Sequence, residues 1–233
     1  VEMSPADGAE DIAITLPDHI FLTFSEAMAC NTIDESSVAL KAGGTTPVDI
    51  KVDCGVDSLS KVVEIELKEG EILDYDTTYE VTLSRDITTN DDNPLPEMEP
   101  FELTTGPEPI ATGITVSDGG LNNTSKEATI DITFNEPMDC SQLDGYISLS
   151  NADGTTRCNA EKTVVTFTPT NNLAWNTDYV IEVKAGTLSE IGNPTDSKKS
   201  FQFTTQLEPP VLRYADWDAD WVKAIKFEWD DVT

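Results

Sequence analysis

Apolar and polar side chains alternate along most of this chain with period two, the spacing that puts every second residue on the same face of a β-strand. Ile20, Leu22 and Phe24 share a face, with Phe21 and Thr23 opposite. Val63, Ile65 and Leu67 point one way while Glu64 and Glu66 point the other, and the run from Tyr79 to Leu83 alternates again. The pattern predicts strands at 12–15, 20–24, 38–41, 48–52, 62–67, 79–83 and 101–104, then at 114–116, 129–134, 147–150, 163–168, 179–183 and 201–204. Turn-forming clusters such as Ser4-Pro5-Ala6-Asp7-Gly8 punctuate them. No stretch carries a helical period. About seven short strands per hundred residues, each with one apolar face, read as an all-β fold of antiparallel sandwiches with sheets about 10 Å apart.

The pattern occurs twice. Phe24-Ser25-Glu26-Ala27-Met28-Ala29-Cys30 returns as Phe134-Asn135-Glu136-Pro137-Met138-Asp139-Cys140, with Phe, Glu, Met and Cys at the same spacing. Further on, Leu73 answers Leu173, Tyr75 answers Trp175, Tyr79 answers Tyr179, and Asn93-Pro94 answers Asn193-Pro194. The offset shortens between the first Cys and the Tyr, a loss that belongs in loops. Two domains follow, 1–106 and 107–206, leaving 207–233 as a C-terminal tail or the start of a truncated third β-domain. Thr104-Thr105-Gly106-Pro107-Glu108-Pro109 joins the domains. Proline favours extended backbone and lacks a ladder donor, so a short, stiff hinge and an end-to-end rod are expected.

The cysteines change the picture by naming a compartment. Cys30, Cys54, Cys140 and Cys158 fall at matching places in the two repeats, and four cysteines allow three pairings. Because each domain must close its own core, the duplication favours Cys30 with Cys54 and Cys140 with Cys158. Each bridge would add about 3 kcal/mol in the chain-entropy description and implies an oxidising location outside the cytoplasm. A four-thiolate metal site would need CxxC-type spacing that is missing here.

Charge excludes partners. Fourteen Lys and Arg against 44 Asp and Glu give a net charge of -30, which repels nucleic acid and anionic membrane alike. No run of eighteen apolar residues would insert into a membrane. The chain begins at Val1 with no signal-like apolar core, and reads as a processed protein or excised fragment. The acidity either solvates the surface or holds divalent cations, calcium first among them. Candidate ligands are Asp92 near the Asn93 turn, Asp118 at the domain junction, and Asp216, Asp218 and Asp220 in the tail. The last three imitate the start of a calcium loop, yet Trp221 would stand where Gly is needed and Phe227 where Glu is, so an EF-hand does not fit.

Catalytic chemistry lacks its usual parts, and no enzymatic activity is expected. The one histidine, His19, precedes an apolar strand, the place of a satisfied boundary residue. There is no Gly-x-Ser-x-Gly elbow, no phosphate-cradling Gly-rich loop and no Cys/His cluster. Paired carboxylates for glycoside hydrolysis need a deep cleft, which small sandwiches seldom form alone. Glu26 and Glu136 directly follow strands, where a carboxylate accepts backbone N–H bonds in a turn, with a cation ligand as the alternative. Met28 and Met138 read as core fillers, and Tyr79 and Tyr179 as tyrosine corners.

Phe-Ser-Glu-Ala-Met (24–28) and Phe-Asn-Glu-Pro-Met (134–138), the Leu-x-x-x-Thr-x-Tyr runs at 73–79 and 173–179, Gly192-Asn193-Pro194 and the closing Phe-x-x-Thr-Thr or Phe-x-Phe-Thr-Thr together resemble the bacterial Ig-like domain of S-layer proteins over residues 1–206. Asp92 departs from the pattern, standing where Gly192 stands in the second repeat. The resemblance implies two tandem immunoglobulin-like antiparallel β-sandwiches without catalytic residues, in a secreted or envelope-attached bacterial protein. Such a module would act as a rigid spacer or adhesion domain, its partner a protein or glycan at the cell surface. The tail adds an alternative. Trp217, Trp221 and Trp229 crowd into it with Tyr214 and Phe227, either as the core of a truncated domain or as a stacking platform for sugars. The platform would make the chain a carbohydrate-binding module of a secreted glycan-processing protein.

Overall fold

The computed structural model describes residues 1–233 except Asp18, Val56, 218–224 and 230–233, and for 212–217 and 225–229 it describes the backbone. The chain gathers into two units, Val1–Pro109 with Leu188–Asp196, and Ile110–Thr187 with Ser197–Thr233.

The first unit holds nine strands: β1 (Glu2–Ser4), β2 (Ala9–Ile12), β3 (Ile20–Ala29), β4 (Val38–Ala42), β5 (Thr46–Val48), β6 (Ile50–Asp53), β7 (Leu59–Leu67), β8 (Thr78–Leu83) and β9 (Phe101–Thr105). They form two sheets, in the orders β1-β3-β7-β6 and β2-β9-β8-β4-β5. Alternation explains the sandwich. Ile20, Leu22 and Phe24 of β3 and Val63 and Ile65 of β7 face Val38 and Leu40 of β4, Tyr79 and Val81 of β8 and Leu103 of β9 in one buried cluster. Burying a side chain of this size contributes about 1.5–3 kcal/mol, and the outward residues between them stay wet.

Four elements depart from the sequence expectation, the first being β1, which no expected strand covers and whose Ser4 falls in an expected turn. The strand expected at 48–52 is two, because the exposed Asp49 breaks it and the chain passes from one sheet to the other between β5 and β6. The strand expected at 12–15 lies earlier, in β2, and pairs parallel to β9, Ala9 with Leu103 and Ile12 with Thr105. Alternation reports a face and not a partner, so it could not show this parallel pair, the other strand pairs among the described residues of the unit being antiparallel. Finally, β3 runs past Phe24 to Ala29, its register with β7 interrupted between Thr23 and Met28. A segment distant in sequence completes the unit. The Asn193 side chain is fully buried, accepts the Ile14 N–H at 2.9 Å and donates to the Pro107 carbonyl at 3.0 Å, while the Tyr75 hydroxyl donates to the Pro194 carbonyl at 2.7 Å.

The second unit contains β10 (Ala111–Val116), β11 (Ile130–Phe134), a single helical turn α1 (Leu143–Tyr146), β12 (Ile147–Leu149), β13 (Gly154–Cys158), β14 (Val164–Pro169), β15 (Asp178–Val183) and β16 (Lys199–Thr204). Its sheets run β10-β11-β14-β13 and β12-β15-β16. Ile130, Ile132, Phe134, Val165, Phe167, Ile181, Val183 and Phe203 fill its core, with the Tyr179 and Phe203 rings stacked 5.6 Å apart. Disulfides join Cys30 to Cys54 and Cys140 to Cys158, and the separation falls from 24 residues to 18. The second repeat thus loses part of its ten residues inside the bridged loop, where β5 has no counterpart. A two-stranded ribbon, β17 (Leu212–Trp217) with β18 (Ile225–Trp229), follows.

Candidate functional site

The residues that the repeats share converge on packing and corner geometry. Phe24 and Met28 are buried in the first core, Phe134 and Met138 in the second. The Tyr79 phenol oxygen accepts the Asp74 N–H at 2.7 Å, and that of Tyr179 accepts the Ala174 N–H at 2.9 Å. The Thr105 hydroxyl accepts the Thr77 N–H at 3.0 Å and donates to the Asp74 carbonyl at 2.6 Å. Thr205 repeats both bonds with Thr177 and Ala174, at 2.9 and 2.6 Å. The Leu-x-x-x-Thr-x-Tyr run and the closing Thr-Thr are therefore two halves of one corner, in which side chains satisfy main-chain groups that a turn would leave unpaired.

The paired glutamates part company. Glu26 lies within β3 and is exposed, so the turn expected after Phe24 is absent there. Glu136 follows β11 and is buried. The extension of β3 accounts for the difference.

Each candidate aspartate has its own surroundings. Asp92 is exposed with φ 58°, and Gly192 at the matching place has φ 95°. Aspartate tolerates the left-handed region better than most residues, so the departure from Gly keeps the turn: the Thr89 N–H donates to the Asn93 carbonyl at 2.9 Å, as the Ser189 N–H does to Asn193 at 2.8 Å. Asp118 is exposed beyond β10, and its carbonyl accepts the Ser125 N–H at 3.1 Å. Asp92 belongs to the first unit and Asp118 to the second. Asp216 and Trp217 are on β17 and Trp229 on β18, while Asp218, Asp220 and Trp221 lie outside the described residues. In the ribbon Trp217 pairs with Ile225 and Trp229 with Leu212, which sets the two tryptophans at opposite ends.

Other acids have structural tasks. The Ser141 N–H and hydroxyl, at 2.9 and 2.7 Å, hold the Asp139 carboxyl below the usual carboxylate range. The Thr156 hydroxyl and N–H do the same for Asp144. Part of the acidic excess is therefore engaged in local bonding, closing a turn at Asp139 and tying α1 to β13 at Asp144.

One grouping escaped the sequence reading. The antiparallel register of β3 with β7 sets Ile20 opposite Ile65 and Phe21 opposite Glu64, which carries His19 to the end of β7 nearest Glu66. His19 Nδ1 lies 2.6 Å from Glu64 Oε1 and 3.9 Å from Glu66 Oε1. The bond to Glu64 fits the expected boundary histidine; the second carboxylate does not follow from it. The signal was latent in the sequence, since Glu64 and Glu66 share the outward face of one strand, but only the register could bring His19 to them.

No helix among the described residues is long and apolar enough to cross a membrane. A comparison with curated proteins returns no match. The profile of one protein family matches twice, at residues 1–105 and 107–205, and its description is bacterial Ig-like domain. Domains of this family are typically non-catalytic and usually belong to surface or extracellular proteins. Two successive matches over most of the chain, on two disulfide-bridged sandwiches closed by the same tyrosine corner, show that it belongs to the bacterial Ig-like domain family.

Proposed function

We propose that this chain is a structural module of a bacterial surface protein, spacing and presenting other domains at the cell envelope, in architectures of the S-layer or adhesin kind. The observation that carries this reading is the use made of the repeated residues. Phe24, Met28, Tyr79 and Thr105, with their counterparts Phe134, Met138, Tyr179 and Thr205, all go into closing a core or a corner. What the duplication preserves is a way of staying folded. A disulfide in each unit suits a module that must remain intact outside the cytoplasm.

Carbohydrate binding is the second reading, and one feature favours it. A hollow of about 370 Å³ in the second unit is lined by Asn151, Asp153, Asn171 and Asn172 beside Leu149 and Tyr179, and amide and carboxylate groups of this kind hydrogen-bond sugar hydroxyls. Titration of the chain with a glycan panel, read by tryptophan fluorescence with acrylamide as quencher, separates the two. The spacer reading predicts no saturable response and no protection of the four tryptophans. Saturable binding that Asn172→Ala abolishes would establish the carbohydrate reading instead.

A further inference from the structure

The outer face of the β1-β3-β7-β6 sheet carries an arrangement that neither core packing nor the tyrosine corners require. Cross-strand register sets Asp53 directly opposite Glu64, and Lys51 opposite Glu66. Like charges facing each other across a ladder are destabilising, and Glu66, two residues along β7 on the same face, adds a third carboxylate. Lys51 answers only part of this charge. Its Nζ lies 3.3 Å from Glu66 Oε2 and 3.9 Å from Asp53 Oδ2. Glu66 thereby uses Oε2 toward the lysine and turns Oε1 toward His19. The imidazole Nδ1, Glu64 Oε1 and Glu66 Oε1 all fall within 4.8 Å of one another. These side chains are about one-third exposed, at 38% for His19, 33% for Glu64 and 28% for Glu66, so an ion could reach them from solvent while the strand pair holds their backbones fixed.

We infer that His19, Glu64 and Glu66 form a binding site for a borderline divalent transition-metal ion such as Zn²⁺. Bonds of about 2.0–2.2 Å to nitrogen and carboxylate oxygen in a tetrahedron set ligand atoms about 3.4 Å apart. The contacts of 2.6 and 3.9 Å from the imidazole bracket that spacing, and the two carboxylate oxygens lie within 4.8 Å of each other, so a modest closing of the side chains brings the three ligands to it. The ion takes the Nδ1 lone pair, so the neutral ring carries its one proton on Nε2 and the Nδ1 to Glu64 Oε1 hydrogen bond is given up. Three protein ligands leave the fourth position to water. The imidazole is what sets the ion class: nitrogen suits Zn²⁺, Cu²⁺ and Ni²⁺, whereas Ca²⁺ takes oxygen ligands. The net charge of -30 concentrates cations near the surface, and the ion would relieve the Asp53 and Glu64 opposition that Lys51 leaves standing. This inference is independent of the spacer reading, which stands with or without a metal.

Because the chain has a single histidine, its imidazole proton resonances report on this site alone. The test titrates Zn²⁺ into the full chain in chelator-free buffer, following those resonances by NMR and the stoichiometry by calorimetry, with Ca²⁺ in parallel. One equivalent of Zn²⁺ should shift the resonances while Ca²⁺ leaves them in place. His19→Asn, which tolerates the left-handed φ of 52° at this position, and Glu66→Gln should each weaken binding by about tenfold or more. Imidazole resonances that ignore Zn²⁺, or variants that bind it as tightly as the parent, would overturn the site.

Discussion

Tyr79 and Tyr179 show how one side chain closes a corner in both units. In each, a buried ring packs in the core and its oxygen accepts a main-chain N–H five residues upstream. Tyr79→Phe keeps the ring and removes the acceptor, leaving the Asp74 N–H without its partner, a loss of about 1–3 kcal/mol. Thermal denaturation should show the first unit melting at a lower temperature while the second is unchanged; equal melting of variant and parent would mean the bond is dispensable. The same residue sets an alkaline limit. Burial pushes the Tyr79 phenol above its ordinary pKa of 10.0, against the lowering effect of the Asp74 N–H. A raised folded pKa means the folded state favours the neutral phenol. Its contribution is complete below pH 10 and is lost as pH rises through the higher folded value. Stability measured by denaturant titration should accordingly decline above pH 10, and Tyr79→Phe should flatten that decline.

At the scale of elements, the disulfides tie the loop after the repeated Met to the β6–β7 or β13–β14 side of each sandwich. Replacing Cys30 and Cys54 by serine frees a 24-residue separation and should cost about 3 kcal/mol, the shorter bridge of the second unit slightly less. Denaturant midpoints of the two double variants check this, and midpoints equal to the parent would show that the bridges add nothing. Most strands were legible in the sequence because alternation of Ile20, Leu22 and Phe24, or of Val63 and Ile65, directly reports a half-buried face. What alternation cannot carry is partner and register. The parallel pairing of β2 with β9, the break at Asp49 and the continuation of β3 beyond Phe24 all depend on which strand lies alongside. The candidate site divides in the same way. Cysteine pairing followed from duplication, whereas the meeting of His19 with Glu64 and Glu66 depends on a register that no local pattern encodes. The tail gave the strongest aromatic signal, yet Trp221 lies outside the described residues and the ribbon sets Trp217 and Trp229 at opposite ends.

For the whole molecule, each of the two units has its own core and its own covalent staple, and the first also takes in Leu188–Asp196 of the second repeat. The proposed spacer role requires each unit to resist extension by itself, and mechanical unfolding of single molecules tests this directly. Pulling the chain from its ends under oxidising conditions should give two discrete unfolding events, one for each unit. Each length increment should fall short of the full repeat, because the bridged loops stay locked. Adding reductant should lengthen the increments by about 80 Å and 60 Å, the 24 and 18 residues released at about 3.5 Å each. A single event spanning both repeats, or increments unmoved by reduction, would contradict the account.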